Sequence, residues 1–321
     1  GVQRSSTKDI TALPLHPTPR RIPTMRVSSP RNTGCHLIRE LFEQHLRFDQ
    51  LQDASRSVEI PSGRIQYIVK GDRGPFVLYL HGSPGGCDSV RFVHPGYRTL
   101  APSRPGYLGT PLEVGESPGA QAIACAELLD ALDIEEVVIM AASGGGPCGL
   151  ELARQYPDRV RGLIAIEVVS DSYEAKPLPT LMRSDIGAWL FLKLMGTQRL
   201  LKLMIPDTHN RQRILESTRK QEIFSELMWS SWPPSKRLQG FDNDLAHYAS
   251  WSIEASEIPV PALIIHGTDD INVPFSQSQA LASAMPDARF HPIEGGDHFM
   301  PASHADELRD LIESFLDMLE Y

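Results

Sequence analysis

Cysteine is scarce in this sequence and shows no pattern. The four residues, Cys35, Cys87, Cys125 and Cys148, form no C-x-x-C pair and no metal-ligand spacing. That excludes a disulfide framework and a cysteine-based metal site as organising features, and the thiols read as free and mostly buried. Also missing is an uninterrupted apolar run of about 20 residues, so no membrane-spanning helix and no stable membrane insertion are expected. There is no overall basic excess: the net charge is −9. Nucleic acid is therefore an unexpected partner. What is present is bulk. A chain of 321 residues that is 41% hydrophobic can bury one large core.

Charge is distributed unevenly. Residues 1–34 hold Arg4, Lys8, Arg20, Arg21, Arg26 and Arg31 against one acid, Asp9, in a background of Ser, Thr and Pro. Such a segment reads as a disordered extension or an organelle-targeting leader on an otherwise intracellular, cytoplasmic protein. Leu37, Leu41, Leu46 and Leu51 then fall near helical spacing, which predicts an amphipathic helix packed on the outside of a core. Residues 1–55 are taken together as an N-terminal extension.

Beyond it, short apolar runs alternate with helical patterns. SVEI and RIQYIV flank the turn Pro61-Ser62-Gly63, and FVLYL ends at His81-Gly82. EEVVIMAAS, VRGLIAIEVVS, VPALIIHG and ARFHPIEGG read as further strands. Ser117 caps a helix whose first residue is Pro118. This alternation is the signature of a mostly parallel sheet covered by helices on both faces. It stops after Ser170 and resumes at residue 251. The fold class is thus α/β, with core segments 56–170 and 251–321 interrupted by a helical cap at 171–250.

One stretch raises the question of chemistry. Residues 140–147, MAASGGGP, place Ser143 between an apolar strand and a glycine-rich helix start. A sharp strand-to-helix turn with small residues two before and two after a serine lifts its hydroxyl clear of a parallel sheet. Ala141 and Gly145 are those neighbours. Alone, the same letters also suit a plain glycine-rich loop.

The context resembles the α/β-hydrolase fold family over roughly residues 56–321. YLHGSPGG resembles its oxyanion loop, and APSRPGYLGTP its next strand-end loop, with Ser103 where the family usually has Asp. HGTDDINVP resembles the late strand end that carries an acid, and GGDHF its C-terminal Gly-x-His loop. The resemblance implies that Ser143 is a nucleophile, His298 its general base and Asp270 the orienting acid, counted from Gly267 in Gly-x-x-Asp-x-x-Val-Pro. Asp269, Glu167 and Asp171 remain as other candidate acids. The backbone N–H groups of Ser83 and Gly144 would form the oxyanion hole, His81 would order its loop, and the Ser83–Pro84 bond is expected to be cis. No metal or organic cofactor is implied.

The function implied is a serine hydrolase that cleaves a carboxylic ester of an apolar acyl group, a lipid ester or a lactone, through an acyl-enzyme. A serine at the turn argues against haloalkane dehalogenases and epoxide hydrolases, which need a carboxylate there. The apolar run IGAWLFLKLMGTQRLLKLMI carries Lys193, Arg199 and Lys202, and four tryptophans lie in or beside residues 171–250. These patterns suit cap packing, an apolar substrate pocket, substrate stacking or contact with lipid. Two other functions stay open. One is a peptidase of the proline-iminopeptidase type, with Glu216, Glu222, Glu226, Asp242 or Asp244 holding a substrate amine. The other is a slow-turnover ligand receptor.

Overall fold

The computed structural model describes residues 33–93 and 96–319. The basic leader expected at residues 1–32 lies outside the described residues. The chain divides at Asp49/Gln50 into two units. The helical pattern at the boundary is realised as α1 (Thr33–Asp53). Its Leu37, Leu46 and Leu51 are exposed and Leu41 is half-buried. Helical periodicity says which side chains share a face and is silent on whether anything covers it.

The unit from Gln50 onward is built on eight strands: β1 (Arg56–Ile60), β2 (Gly63–Lys70), β3 (Arg73–Leu80), β4 (Tyr97–Pro102), β5 (Val137–Ala142), β6 (Val160–Ile166), β7 (Ala262–Gly267) and β8 (Ala288–Ile293). They form one sheet in the order β1-β2-β4-β3-β5-β6-β7-β8. β2 is antiparallel to β1 and β4, and every later pairing is parallel. Parallel neighbours need crossovers, and α2 (Pro118–Ala131), α3 (Gly146–Gln155) and α8 (Phe275–Ala284) supply three of them. Ser117 caps α2 by accepting the Ala120 N–H, with Pro118 in the first turn as its sequence suggests.

Because successive strand residues face opposite sides, the central strands split their apolar residues between two cores. Leu78, Leu80, Ile139, Ala141, Leu163, Ala165 and Ile264 pack with α2, α3 and α8 on one face. Val77, Tyr79, Val138, Met140, Ile164, Leu263 and Ile265 face the other, where α10 (Ala305–Leu319) lays down Leu308, Ile312, Phe315 and Leu316. Each such large aliphatic side chain contributes about 1.5–3 kcal/mol on burial, so the two cores together dominate folding. Cys87, Cys125 and Cys148 are buried free thiols, as expected; the side chain of Cys35 lies outside the described ones.

Between β6 and β7 the chain forms α4 (Asp185–Met204), α5 (Thr208–Leu215), α6 (Thr218–Trp229) and α7 (Leu238–Tyr248), in the same unit as the sheet. α4 is broken at Gly196, whose φ of 63° interrupts the helix. Leu192, Leu200, Leu201, Ile214 and Phe224 give these helices their own core, which Phe299 joins. Trp189 and Trp232 are buried, Trp232 donates to the Asp185 carbonyl at 3.0 Å, and Trp229 packs against the same small core. Among the described residues, no helix is long and apolar enough to cross a membrane.

The turn after β5 shows how Ala141 is accommodated where glycine is usual. Gly149, one α3 turn on, faces it: a Cβ built at Gly149 would lie 3.0 Å from the Ala141 methyl and 3.2 Å from an Ile139 methyl. Gly→Ala inside a helix is ordinarily stabilising by about 0.5–1 kcal/mol. Gly149→Ala is expected to reverse that sign and cost about 1 kcal/mol or more through overpacking. Ala141→Gly in the same chain should recover part of the loss, and urea denaturation of the three variants measures both effects.

Candidate functional site

Ser143 follows directly on β5 and adopts a φ of 47°, a left-handed conformation rare for a side chain other than glycine. The tightness of the turn explains it. A Cβ at Gly145 would lie 2.3 Å from the Leu80 carbonyl oxygen, so the turn can lean on the end of β3 only with glycine there. Gly146 is equally confined, 2.4 Å from the Val169 carbonyl for a notional Cβ, and the Val169 N–H donates to the Ser143 carbonyl at 3.0 Å. The turn is thus clamped between the ends of β3 and β6. α3 starts immediately after it, so its first N–H groups lie beside the serine.

His298 comes from the loop between β8 and the short helix α9 (Met300–Ser303), and Asp270 from the loop after β7. Although 155 and 28 positions apart from their partners, the three side chains meet: His298 Nε2 lies 3.1 Å from Ser143 Oγ, and His298 Nδ1 lies 2.7 Å from Asp270 Oδ2. Asp270 Oδ1 accepts the N–H groups of Asn272 and Val273 at 2.7 and 3.1 Å. His266 Nε2 stands 3.2 Å from Oδ2. Burial alone would raise the pKa of Asp270. The charge on His298 and these hydrogen bonds outweigh it and hold the carboxyl well below the usual carboxylate range. Asp269, its neighbour, is exposed, and so is Asp171.

Glu167, the remaining candidate acid, sits one residue beyond β6 with a φ of 50°. Its Oε2 is 3.8 Å from His298 Nδ1, and its buried Oε1 has no hydrogen-bond partner. Desolvation raises its pKa well above the ordinary value, only partly opposed by His298. Glu167 also acts on the imidazole, second to Asp270. Burial by itself would make His298 less basic, and Asp270 leads the groups that instead raise its pKa. The donor atoms of Glu167, Asp270 and His298 lie within 4.8 Å of one another, close enough to hold a cation. His298 Nδ1, however, cannot ligate a metal while donating to Asp270.

Ser83 and Gly144 are also brought together. Ser83 follows β3, its bond to Pro84 is cis as expected, and a Cβ at Gly82 would lie 3.2 Å from Ser143 Cβ. His81 is buried, accepts the Arg104 backbone N–H on Nε2 at 3.0 Å and so donates from Nδ1 to the Gly82 carbonyl at 2.8 Å. Desolvation and the Arg104 charge drive its pKa well down, and it stays neutral. The loop-ordering part expected for it is met by this geometry.

Comparison with known proteins agrees with the topology. The model of the alpha/beta hydrolase family matches residues 77–311. The chain belongs to the alpha/beta hydrolase family. It is 29% identical to a 2-hydroxymuconate semialdehyde hydrolase of Pseudomonas putida over 83% of this chain and 95% of that one. It is 27% identical to a 2-hydroxy-6-oxo-6-phenylhexa-2,4-dienoate hydrolase of Burkholderia cepacia, over 78% and 90%. Among solved structures, an alpha/beta hydrolase fold protein from Nakamurella multipartita superposes with a TM-score of 0.75 at 31% identity, covering 83% of this chain and 98% of its own.

Sequence reasoning did not single out Arg104 and Arg237, which are both buried beside the Ser83 loop. The signal available was a lone arginine in the otherwise uncharged loop APSRPGYLGTP. For the Asp270–His298 pair the electrostatics set a direction. Asp270 raises the His298 pKa, so Asp270→Asn should shift the acid limb of a kcat/KM profile to lower pH. The same change should lower kcat about 10⁴-fold by freeing the imidazole tautomer, and a pH–rate series on wild type and variant measures both.

Proposed function

We propose that this hydrolase is a serine hydrolase of uncharged carboxylic esters, lactones included, working through an acyl-enzyme. The observation that carries the reading is the continuous hydrogen-bond line Asp270–His298–Ser143, at 2.7 and 3.1 Å. A serine hydroxyl attacks poorly at neutral pH without an adjacent base. Here His298 Nε2 takes the Ser143 proton as Oγ adds to the acyl carbonyl. Asp270 holds Nδ1 protonated and stabilises the imidazolium. The oxyanion is received by the N–H groups of Ser83 and Gly144. His298 then protonates the leaving alkoxide, and a water activated by the same imidazole releases the acid.

The charges around the site support an uncharged substrate. Arg104 is paired with Asp244 at 2.6 Å, and Arg237 with Asp88 at 2.7 Å, all four side chains being buried. Neither guanidinium is left to receive a substrate carboxylate. Of the acids weighed for a peptidase, the two on α7 are committed. Asp244 faces Arg104, Asp242 pairs with Arg183 at 2.7 Å, and Glu216, Glu222 and Glu226 are exposed. A substrate amine would find Asp242 and Asp244 already paired.

A second reading comes from the relatives named as hydrolases of 2-hydroxymuconate semialdehyde and of 2-hydroxy-6-oxo-6-phenylhexa-2,4-dienoate. The same serine and histidine could serve it, but a dienoate substrate brings a carboxylate that Arg104 and Arg237 are not free to bind. The two are separated by assaying p-nitrophenyl esters and 2-hydroxy-6-oxo-6-phenylhexa-2,4-dienoate side by side. Ester turnover is expected, with fluorophosphonate labelling that vanishes in Ser143→Ala and kcat reduced more than about 10⁴-fold in His298→Ala. Turnover of the dienoate alone would establish the second reading. Saturable binding of ester with no turnover and no labelling would leave a receptor.

A further inference from the structure

The helix α7 carries two polar side chains one turn apart, Asp244 and Tyr248, and both are buried against Ser83. Ser83 Oγ has one proton, and Asp244 Oδ2 takes it. The same oxygen accepts Arg104 Nη2–H at 2.9 Å. Asp244 is itself immobilised: its Oδ1 accepts Arg104 Nη1–H at 2.9 Å, and its Oδ2 accepts Arg104 Nη2–H at 2.6 Å and the Tyr107 hydroxyl at 2.5 Å. The Tyr248 hydroxyl lies 2.9 Å from Ser83 Oγ and 3.2 Å from the Gly144 carbonyl oxygen. With the Ser83 proton committed to Asp244, the tyrosine proton goes to Ser83 Oγ or to that carbonyl. Space leaves no slack here. A Cβ at Gly144 would lie 2.1 Å from both the Ser83 and the Tyr248 hydroxyl oxygens. The Tyr248 ring is stacked on Tyr173 with centroids 5.8 Å apart, which keeps the hydroxyl aimed.

We infer that Asp244 and Tyr248 of α7 are positioning residues that set the spacing of the Ser83 and Gly144 peptide units, so that the helical insertion builds the oxyanion hole. The inference rests on the serine-hydrolase reading, because the two N–H groups matter only if an oxyanion forms between them. Ser83 thereby has two separate parts: its backbone N–H faces the reaction, and its side chain is the handle by which α7 holds it. The Tyr248 hydroxyl touches both halves of the hole.

Asp244→Asn would strand the buried Arg104 charge and endanger folding, so the test uses Tyr248→Phe and Ser83→Ala. Each removes one hydroxyl and keeps the backbone. Steady-state hydrolysis of a p-nitrophenyl ester is measured for wild type, Ser143→Ala, both single variants and their double, together with inhibition by a trifluoromethyl ketone. Expected are a kcat lowered about 10-fold in each single variant, short of the 10²–10³ for full loss of a donor. KM should stay within about two-fold, and the ketone should bind weaker by the same factor as kcat falls. The double variant should fall short of the product of the two single losses, since the Ser83–Tyr248 hydrogen bond is cut by both. If Ser143→Ala abolishes turnover while Tyr248→Phe and Ser83→Ala leave kcat and ketone affinity unchanged, the positioning role is overturned and the serine-hydrolase reading stands. If Ser143→Ala turns over like wild type, that reading and this inference fall together.

Discussion

Arg104 is a full positive charge buried at the end of β4, and the surroundings of Ser143 are arranged around neutralising it. Its guanidinium donates to the His81 carbonyl, the Gln121 side chain, Ser83 Oγ and both oxygens of Asp244, while its backbone N–H donates to His81 Nε2. A buried pair of this kind gains little over an apolar contact of the same size, yet losing one partner costs about 3–5 kcal/mol because the other charge is left uncompensated. Its use is therefore specificity of arrangement. It fixes the tautomer of His81, ties that ring to the Gly82 carbonyl, and joins the loop after β3 to α7. The Arg237–Asp88 pair repeats the device a few residues on, where Arg237 also donates to the Gly85 carbonyl at 2.6 Å. Two guanidiniums thus hold one loop from two sides.

What could be read from the letters was whatever depends on local order. The strands, the Ser117 cap, the turn at Ser143 and the loops holding Asp270 and His298 all follow from short stretches whose neighbours are adjacent in sequence. Their convergence was implied by the order of the motifs and is explained by parallel strands ending at one edge. Asp244 and Tyr248 could not be read in this way. Their hydrogen-bond partners lie 104 to 165 positions away, and an acid in a helical stretch looks like a solvated face. Ser103 is similar. Its Oγ accepts the Cys87 N–H at 3.1 Å and donates to Gln66 Oε1 at 3.3 Å. A carboxylate could not donate to that oxygen, so the departure from Asp goes with a glutamine on the neighbouring strand β2.

The competition between Asp270 and Glu167 is decided by hydrogen bonds rather than by distance to the chain's other charges. Both carboxyls reach His298 Nδ1, at 2.7 and 3.8 Å. Asp270 accepts two backbone N–H groups and has His266 beside it, so ionisation is stabilised before His298 is counted. Glu167 has an orphan oxygen and a strained backbone, and nothing but the imidazole to favour its charge. Two anions this close would also repel each other through a poorly screened interior. The two carboxyls are therefore pushed in opposite directions, Asp270 toward its charged form and Glu167 toward its neutral one. Shape alone would have allowed either, and the Asn272 and Val273 N–H groups, delivered by the turn after β7, break the tie.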